Sequence, residues 1–445
     1  MRSESDLTAE ILEPVDMALL EPVYPFNEPG QEIRLYAGRF AGPGVSTVSG
    51  AVWMSCGSQF RVRWKLEGEV PTSWQFRAIG ADEVTIELAR PGGNVEVTGR
   101  YRTLDDGTLN GSTLGRADSV LSHVIVHWMN LPDVQRGRGR WRFSVGEWDV
   151  VLEPRPDHET VWEALGFDPR IAMTHVMSIT RGDGALFIAE EVRVMLRALH
   201  FGVSFAFGRW VPPALPVGFS PAGVAVWEEW GPLFCDPGRN ASMAWLDHEH
   251  VDDLQALLDC VLAAFEDPQR EDIARHLLSR AVEANHTGRV EQRIMTAFPA
   301  IEWLCWVELK LSGKMSGAKY KELSTASRIE TLLSAANIPT DVDPGAQPVL
   351  AAYASAKSET GTPLSGAQVT TRVRHQLVHA KSPFEEVYTT DGLLTEAWLL
   401  TRHYLVLLLL KWLGYAGRYQ AALGPSGSSG HDGPVPCSVR ADPDA

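Results

Sequence analysis

From residue 32 to about 103, apolar and polar side chains alternate in short segments bounded by Gly, Pro and Asp. Gln59-Phe60-Arg61-Val62-Arg63-Trp64 shows the two-residue period most plainly. This pattern predicts strands over 32–40, 50–54, 60–66, 74–79, 83–89 and 94–103, continued over 122–128 and 141–152. After Asp157 the signal is mixed. A helix is predicted over 189–199, with extended segments over 202–210 and 223–230. From Asp252 the period becomes helical, as in Leu254, Leu257, Leu258, Val261 and Leu262. It predicts helices over 251–266, 270–286, 289–311, 319–336, 346–358, 367–380 and 392–414, each with one apolar face. Pro299 is expected to kink or split the third.

The fold class that follows is α+β and multidomain. An antiparallel β-rich domain (29–235), sandwich or barrel-like, precedes an all-α bundle (236–420). An acidic, proline-punctuated arm (1–28) leads in. A tail (421–445) rich in Gly, Pro, Ser and Asp is expected to be disordered.

Composition narrows the function classes. With 44% hydrophobic and 22% charged residues the chain has enough to bury, and 445 residues suit two or three domains. A formal charge of −16 argues against a broad nucleic-acid coat, though not against one local basic pocket. Cys56, Cys235, Cys260, Cys305 and Cys437 form no Cys-x-x-Cys pair, so a reducing interior is expected rather than a disulfide framework. The start, Met1-Arg2-Ser3-Glu4-Ser5-Asp6, is polar, and the apolar helix near 393–413 is interrupted by Glu396, Arg402, His403 and Lys411. A cytoplasmic protein without a membrane span is expected. No Walker A, no Gly-x-Gly-x-x-Gly after a strand and no zinc cluster points to a cofactor, so none is expected. Trp53, Trp64 and Trp74 are expected in the core, the alternative being an aromatic ligand site.

The chemistry concentrates in Thr370-Thr371-Arg372-Val373-Arg374-His375-Gln376-Leu377-Val378-His379-Ala380-Lys381. From Gly361 to Pro383 there is no Asp or Glu, a positive stretch in an acidic chain. Arg374 and His379 form an Arg-x4-His pair, which offers a cation for phosphate and an imidazole for proton transfer. About one such match is expected by chance, and Arg170 with His175 supplies a second. On an ideal helix His375 and His379 share a face, while Arg374 and His379 diverge by about 140°. Three readings stay open on spacing alone: a ribonuclease site, two zinc ligands at His-x3-His spacing, and histidines that merely cap a helix. For zinc, a protease motif would need Glu where Gln376 stands. Arg136-Gly137-Arg138-Gly139-Arg140 is either a phosphate contact or a solvated hairpin tip.

Thr371 to Ala380 resembles the Arg-polar-x3-His signature of HEPN domains, a helical nucleotide-binding and RNase superfamily. Arg280 to Asn285, Ala297 to Leu304, Ser327 to Leu333, Asn337 to Pro339 and Leu407 to Tyr415 are similar to the helices around it. His123 to Asp133 is similar to a segment of the β domain of ApeA-type anti-phage proteins. The resemblance implies a dimeric ribonuclease of abortive infection, with RNA as substrate and a phage or cellular trigger acting on the β-rich domain. It implies Arg374 and His379 as catalytic, with His375 auxiliary where Asn is commoner. Arg372 and Lys381 are candidate substrate contacts, and Glu302 is a candidate partner of Arg374. The alternative is a HEPN-type module that binds RNA or protein without cutting.

Overall fold

The computed structural model describes residues 20–438 apart from 57–59, 81–82, 91–92, 135–138, 168–169, 232, 239–243, 247–250, 287, 383 and 425–431. Its β-rich half holds two sheets. Strands β1 (Ile33–Gly42), β2 (Val45–Cys56), β3 (Phe60–Glu67), β4 (Glu83–Arg90), β5 (Gly93–Tyr101) and β6 (Asp106–Leu109) close into an antiparallel barrel. Its strand order is β1-β2-β3-β6-β5-β4. Alternation puts Val52, Met54, Val62, Trp64 and Leu66 inside and leaves Trp53 half-buried outside. Closure pairs both edges of the sheet.

The segment 74–79, predicted as a strand, is instead part of helix α1 (Thr72–Gly80). Trp-Gln-Phe-Arg-Ala-Ile mimics a two-residue period, but tertiary context decides. Trp74 is fully buried and donates its indole N–H to the Ser46 carbonyl at 2.7 Å.

The second sheet has seven strands: β7 (Ser112–Gly115), β9 (His123–Met129), β10 (Trp141–Val145), β11 (Trp148–Pro154), β12 (Met173–Arg181), β14 (Pro213–Phe219) and β15 (Ala225–Trp230). Their order is β10-β11-β12-β9-β14-β15-β7. Two short strands, β8 (Val120–Leu121) and β13 (Phe187–Ile188), pair beside it. One face of this sheet, through Met129, Met173, Ala214 and Val217, joins the barrel core. The other, through Val124, Val126 and Trp128, joins a buried cluster that runs on into the helices as far as Val435. Helix α2 (His158–Phe167) flanks the sheet, and α3 (Ala189–Phe207) crosses it to meet the bundle. The extended segment predicted over 202–210 is therefore mostly helix. A run buried on all sides, such as Phe205, Ala206 and Phe207, carries no period to read.

The arm is described from residue 20, and there it is held. His127, fully buried, accepts the Val23 and Tyr24 N–H groups at 3.1 and 3.4 Å and shares a 2.9 Å bond with the Leu215 carbonyl. Tyr24 donates to Glu228, which also pairs with Arg90 of the barrel. The rest of the arm, 1–19, lies outside the described residues.

The helical half contains α4 (Val251–Phe265), α5 (Pro268–Glu283), α6 (Val290–Cys305), α7 (Gly317–Glu322), α8 (Thr325–Ala335), α9 (Pro348–Ala356), α10 (Gly366–Val378), α11 (Glu386–Thr389) and α12 (Leu393–Leu413). Pro299 lies within α6 without splitting it, and a π-helical turn, Trp306–Leu311, follows directly. The helix predicted over 319–336 is two, because Ser324 breaks the run and caps α8 through the Ser327 N–H. Helix α12 is long and apolar enough to cross a membrane, yet 83% of its most apolar window is buried among the other helices. The tail predicted as disordered is partly ordered. β16 (Arg418–Gln420) pairs with β17 (Asp432–Pro434), and Val435 is fully buried; 425–431 and 439–445 lie outside the described residues.

Candidate functional site

Helix α10 carries the candidate residues, and its own sequence fixes how it sits. Ser365 caps it, its hydroxyl accepting the Gln368 N–H while the Gln368 side chain accepts the Ser365 N–H, a reciprocal capping box. The first helical residue, Gly366, lies against the Tyr404 hydroxyl of α12, where any Cβ would collide. Ala367, Val369, Thr370 and Val373 are buried in the bundle. That stripe leaves Arg372 and His375 facing out, both exposed.

Arg374 stands beside the buried stripe and turns inward. Its guanidinium reaches Glu302 of α6 at 3.5 Å and lies over the Phe298 ring, 5.6 Å from the centroid. Its Nε is buried without a hydrogen-bond partner. Glu302 also accepts from the Thr325 hydroxyl of α8 at 3.5 Å, so α6, α8 and α10 meet at this carboxylate. Both members of the ion pair are about a third exposed, at 27% and 33%, so the pair can part at little cost when an anion competes for the arginine.

His379 is where α10 ends. The helix predicted to reach 380 stops at Val378, and His379 leaves the helical conformation with φ −120° and ψ 49°. Its N–H still bonds to the His375 carbonyl at 2.9 Å. The two imidazoles lie 4.7 Å apart, centroid to centroid, and tilted by 48°. Both residues are exposed, so a ligand has access to their ring nitrogens. No third His, Cys, Asp or Glu joins them as a metal-binding group among the described residues. Lys381, also exposed, follows on the turn, its N–H held by Glu385 at 2.8 Å.

The structure thus brings His375 and His379 together at the end of α10. It sets Arg374 one helical step away, turned to Glu302 rather than to either histidine. Arg372 and Lys381 lie on the exposed side of the same segment. Phe298, Thr325 and Tyr353, which donates to Gln376 at 2.9 Å, are neighbours that sequence reasoning missed. They come from three other helices, and spacing within one segment carries no signal for such contacts. Of the Arg-Gly run, Arg136 and Arg138 lie outside the described residues, and Arg140 pairs with Glu153.

Two family models match the chain. Residues 116–241 match the YopA central domain, which covers most of the second sheet and α3. Residues 267–431 match the YopA C-terminal domain, which includes α10 and its neighbours. The chain is also similar to the SPbeta prophage-derived uncharacterized protein YopA of Bacillus subtilis (strain 168). The two are 26% identical over 326 residues, spanning 70% of this chain and 71% of that protein. No solved structure matches.

Proposed function

We propose that the helical half is a metal-independent endoribonuclease of the HEPN type, and that RNA is cut at the end of α10. The observation that carries this reading is the pair of exposed imidazoles, His375 and His379, 4.7 Å apart at the end of a helix that also supplies Arg374. A ribose 2′-hydroxyl gives its proton to one neutral imidazole, and its oxygen attacks the adjacent phosphorus. The P–O5′ bond breaks as the other imidazole, protonated, gives its proton to the departing 5′-oxygen. The products are a 2′,3′-cyclic phosphate and a 5′-hydroxyl. Arg374 leaves Glu302 for the phosphate and stabilises the charge that builds on its oxygens. RNA brings its own nucleophile, so the chemistry needs no metal and DNA is resistant.

The β-rich half is assigned the sensing of a phage or cellular trigger in the cytoplasm. The prophage origin of a similar protein supports placing the cut in conflict between phage and host. A homodimer through the helical half would bring two such sites to one cleft.

A second reading rests on two specific features. Arg374 is engaged by Glu302, and exposed apolar side chains flank His379, namely Val378 at 42%, Phe384 at 83% and Tyr388 at 42%. These suit a module that binds RNA or protein without cutting. The deciding experiment incubates purified protein with total RNA and tRNA in chelator and maps new ends. Cuts by the wild type but not by His379→Ala, with 2′,3′-cyclic phosphate or 3′-phosphate ends, establish the ribonuclease. Intact RNA, with association that survives His379→Ala, establishes the binding module.

A further inference from the structure

The chain has only eight lysines, and four of them, Lys310, Lys314, Lys319 and Lys321, fall within twelve residues. They occupy the hairpin between α6 and α8. There the π-helical turn, a left-handed Gly313 at φ 76° and the short α7, capped by Ser316, reverse the chain. All four are exposed. Between Trp306 and Arg328 the hairpin carries five cations against two carboxylates, Glu308 and Glu322, in a protein whose formal charge is −16.

Lys314 pairs with Glu308 at 2.6 Å, and Lys310 lies 5.9 Å from the Trp306 ring. Lys319 and Lys321 make no ion pair with a described residue. Lys319 and Lys321 are therefore not what holds the hairpin, and mutual repulsion acts against gathering so many cations on it. The hairpin also adjoins the Arg–His segment. Thr325, on Glu302, lies three residues before Arg328, and the Arg328 guanidinium lies 4.1 Å from the Tyr320 ring centroid. Glu302 is the carboxylate that holds Arg374.

We propose that this lysine hairpin, with Arg328, is a track for the backbone of single-stranded RNA that leads to Arg374 and His379. The proposal rests on the ribonuclease reading and names where its substrate is held. Flexible ammonium groups spaced along a turn suit successive phosphates of a single strand, which they contact without reading sequence. A protein partner would ask for a buried aromatic or arginine anchor amid charge-poor surface, and the four exposed lysines are the opposite. An acidic remainder of the molecule repels the strand elsewhere and narrows where it can settle.

The test uses the full chain carrying His379→Ala, so that bound RNA stays intact, and a fluorescein-labelled 20-nucleotide single-stranded RNA. Anisotropy titrations across a salt series compare it with the same protein carrying Lys310→Gln, Lys319→Gln and Lys321→Gln together. The track predicts affinity at least about tenfold weaker. It also predicts a salt slope shallower by about 2, from roughly 0.7 per lost contact on a single strand. Lys→Arg at the same three positions keeps the charge and should restore both. Unchanged affinity and slope in the Gln variant would overturn the proposal and leave the lysines to a protein partner. The two readings fail separately. RNA held by the hairpin yet never cut by the wild type keeps the track and removes the enzyme. Cutting and binding that ignore the Gln substitutions do the reverse.

Discussion

Arg170 and His175 in the β-rich half repeat the spacing of Arg374 and His379 in the helical half, and the fold uses the two pairs in opposite ways. His175 lies on β12 between Trp128 of β9 and Pro154 of β11, 1% exposed, with its ring 4.8 Å from that of His158. Burial first, and then His158, hold its imidazole well below the usual histidine range. Its Nε2 is buried and has no hydrogen-bond partner. Arg170 sits in a loop whose carbonyl accepts from Asn130 and Gly238 at 2.9 and 2.8 Å. His379, by contrast, stands exposed at a helix end with a second imidazole beside it. Equal spacing therefore says little about proton transfer. Access and neighbours decide it.

The contrast is sharpest in what each histidine should cost. His379→Ala is expected to slow RNA cleavage by about 10²–10⁴-fold. Its stability should stay within about 0.5 kcal/mol, since the side chain is exposed. Initial rates on a labelled RNA and urea midpoints measure the two halves of that statement. A large loss of stability would mean the residue belongs to the scaffold.

His175→Ala should behave the other way round. It empties a buried site between strands and is expected to destabilise by roughly 2–4 kcal/mol, with cleavage per folded molecule unchanged. Urea titration together with rates normalised to folded protein would expose the opposite result, a stable but inactive variant.

Acid should strike the buried histidines. Burial lowers His127 and His200 to about 4 each. An unfolded histidine titrates near 6.5, so between about pH 6.5 and 4 the unfolded chain binds more protons than the folded one. Stability contributed by keeping these rings neutral is complete above that window. It is lost as pH falls through it, by roughly 1–3 kcal/mol per ring. At His127 the proton also displaces the Val23 and Tyr24 N–H groups that hold the arm. Urea midpoints at pH 7, 5.5 and 4.5 should fall steadily, and a flat series would show that these rings are hydrated.

The smallest effect belongs to Glu302→Gln. The Arg374–Glu302 pair is long and partly exposed, so stability should change by less than about 1 kcal/mol. Cleavage should change by less than about tenfold if Glu302 only parks the arginine. A loss as large as that of His379→Ala, read in the same rate assay, would give the carboxylate a direct part in the chemistry.

Much of this contrast was legible beforehand. The alternating segments gave β1, β3, β4 and β5 to within two residues and the later part of β2, because each strand has one face in the core and one in water. The short β6 was not foreseen. The amphipathic stripes gave α4 and α5 for the same reason, whereas α12 lies where it was expected but is buried on nearly every side rather than along one face. The errors fall where period and environment part company. Trp74 to Ile79 alternates yet forms α1, and 202–207 is buried on every side and so shows no period at all. In a Gly- and Pro-rich tail, β17 is ordered by pairing with β16 and Val435 by burial and a bond to the Gly417 carbonyl, contacts that composition cannot register. At the site, the i, i+4 spacing foretold that His375 and His379 would meet. It did not foretell that His379 would already have left the helix, nor that Phe298 and Thr325 would surround the Arg374 pair. Those depend on how three helices pack.

The central claim is that the exposed pair, not the buried one, carries 2′-hydroxyl-dependent chemistry. The most direct measurement takes one RNA strand that the wild type cuts and remakes it with a 2′-O-methyl group at the nucleotide 5′ to the cut. Both strands are then incubated with wild type, His379→Ala and His175→Ala. The account predicts that wild type and folded His175→Ala cut the unmodified strand, that neither cuts the modified one, and that His379→Ala cuts neither. Cleavage of the modified strand, or full activity in His379→Ala, would contradict it.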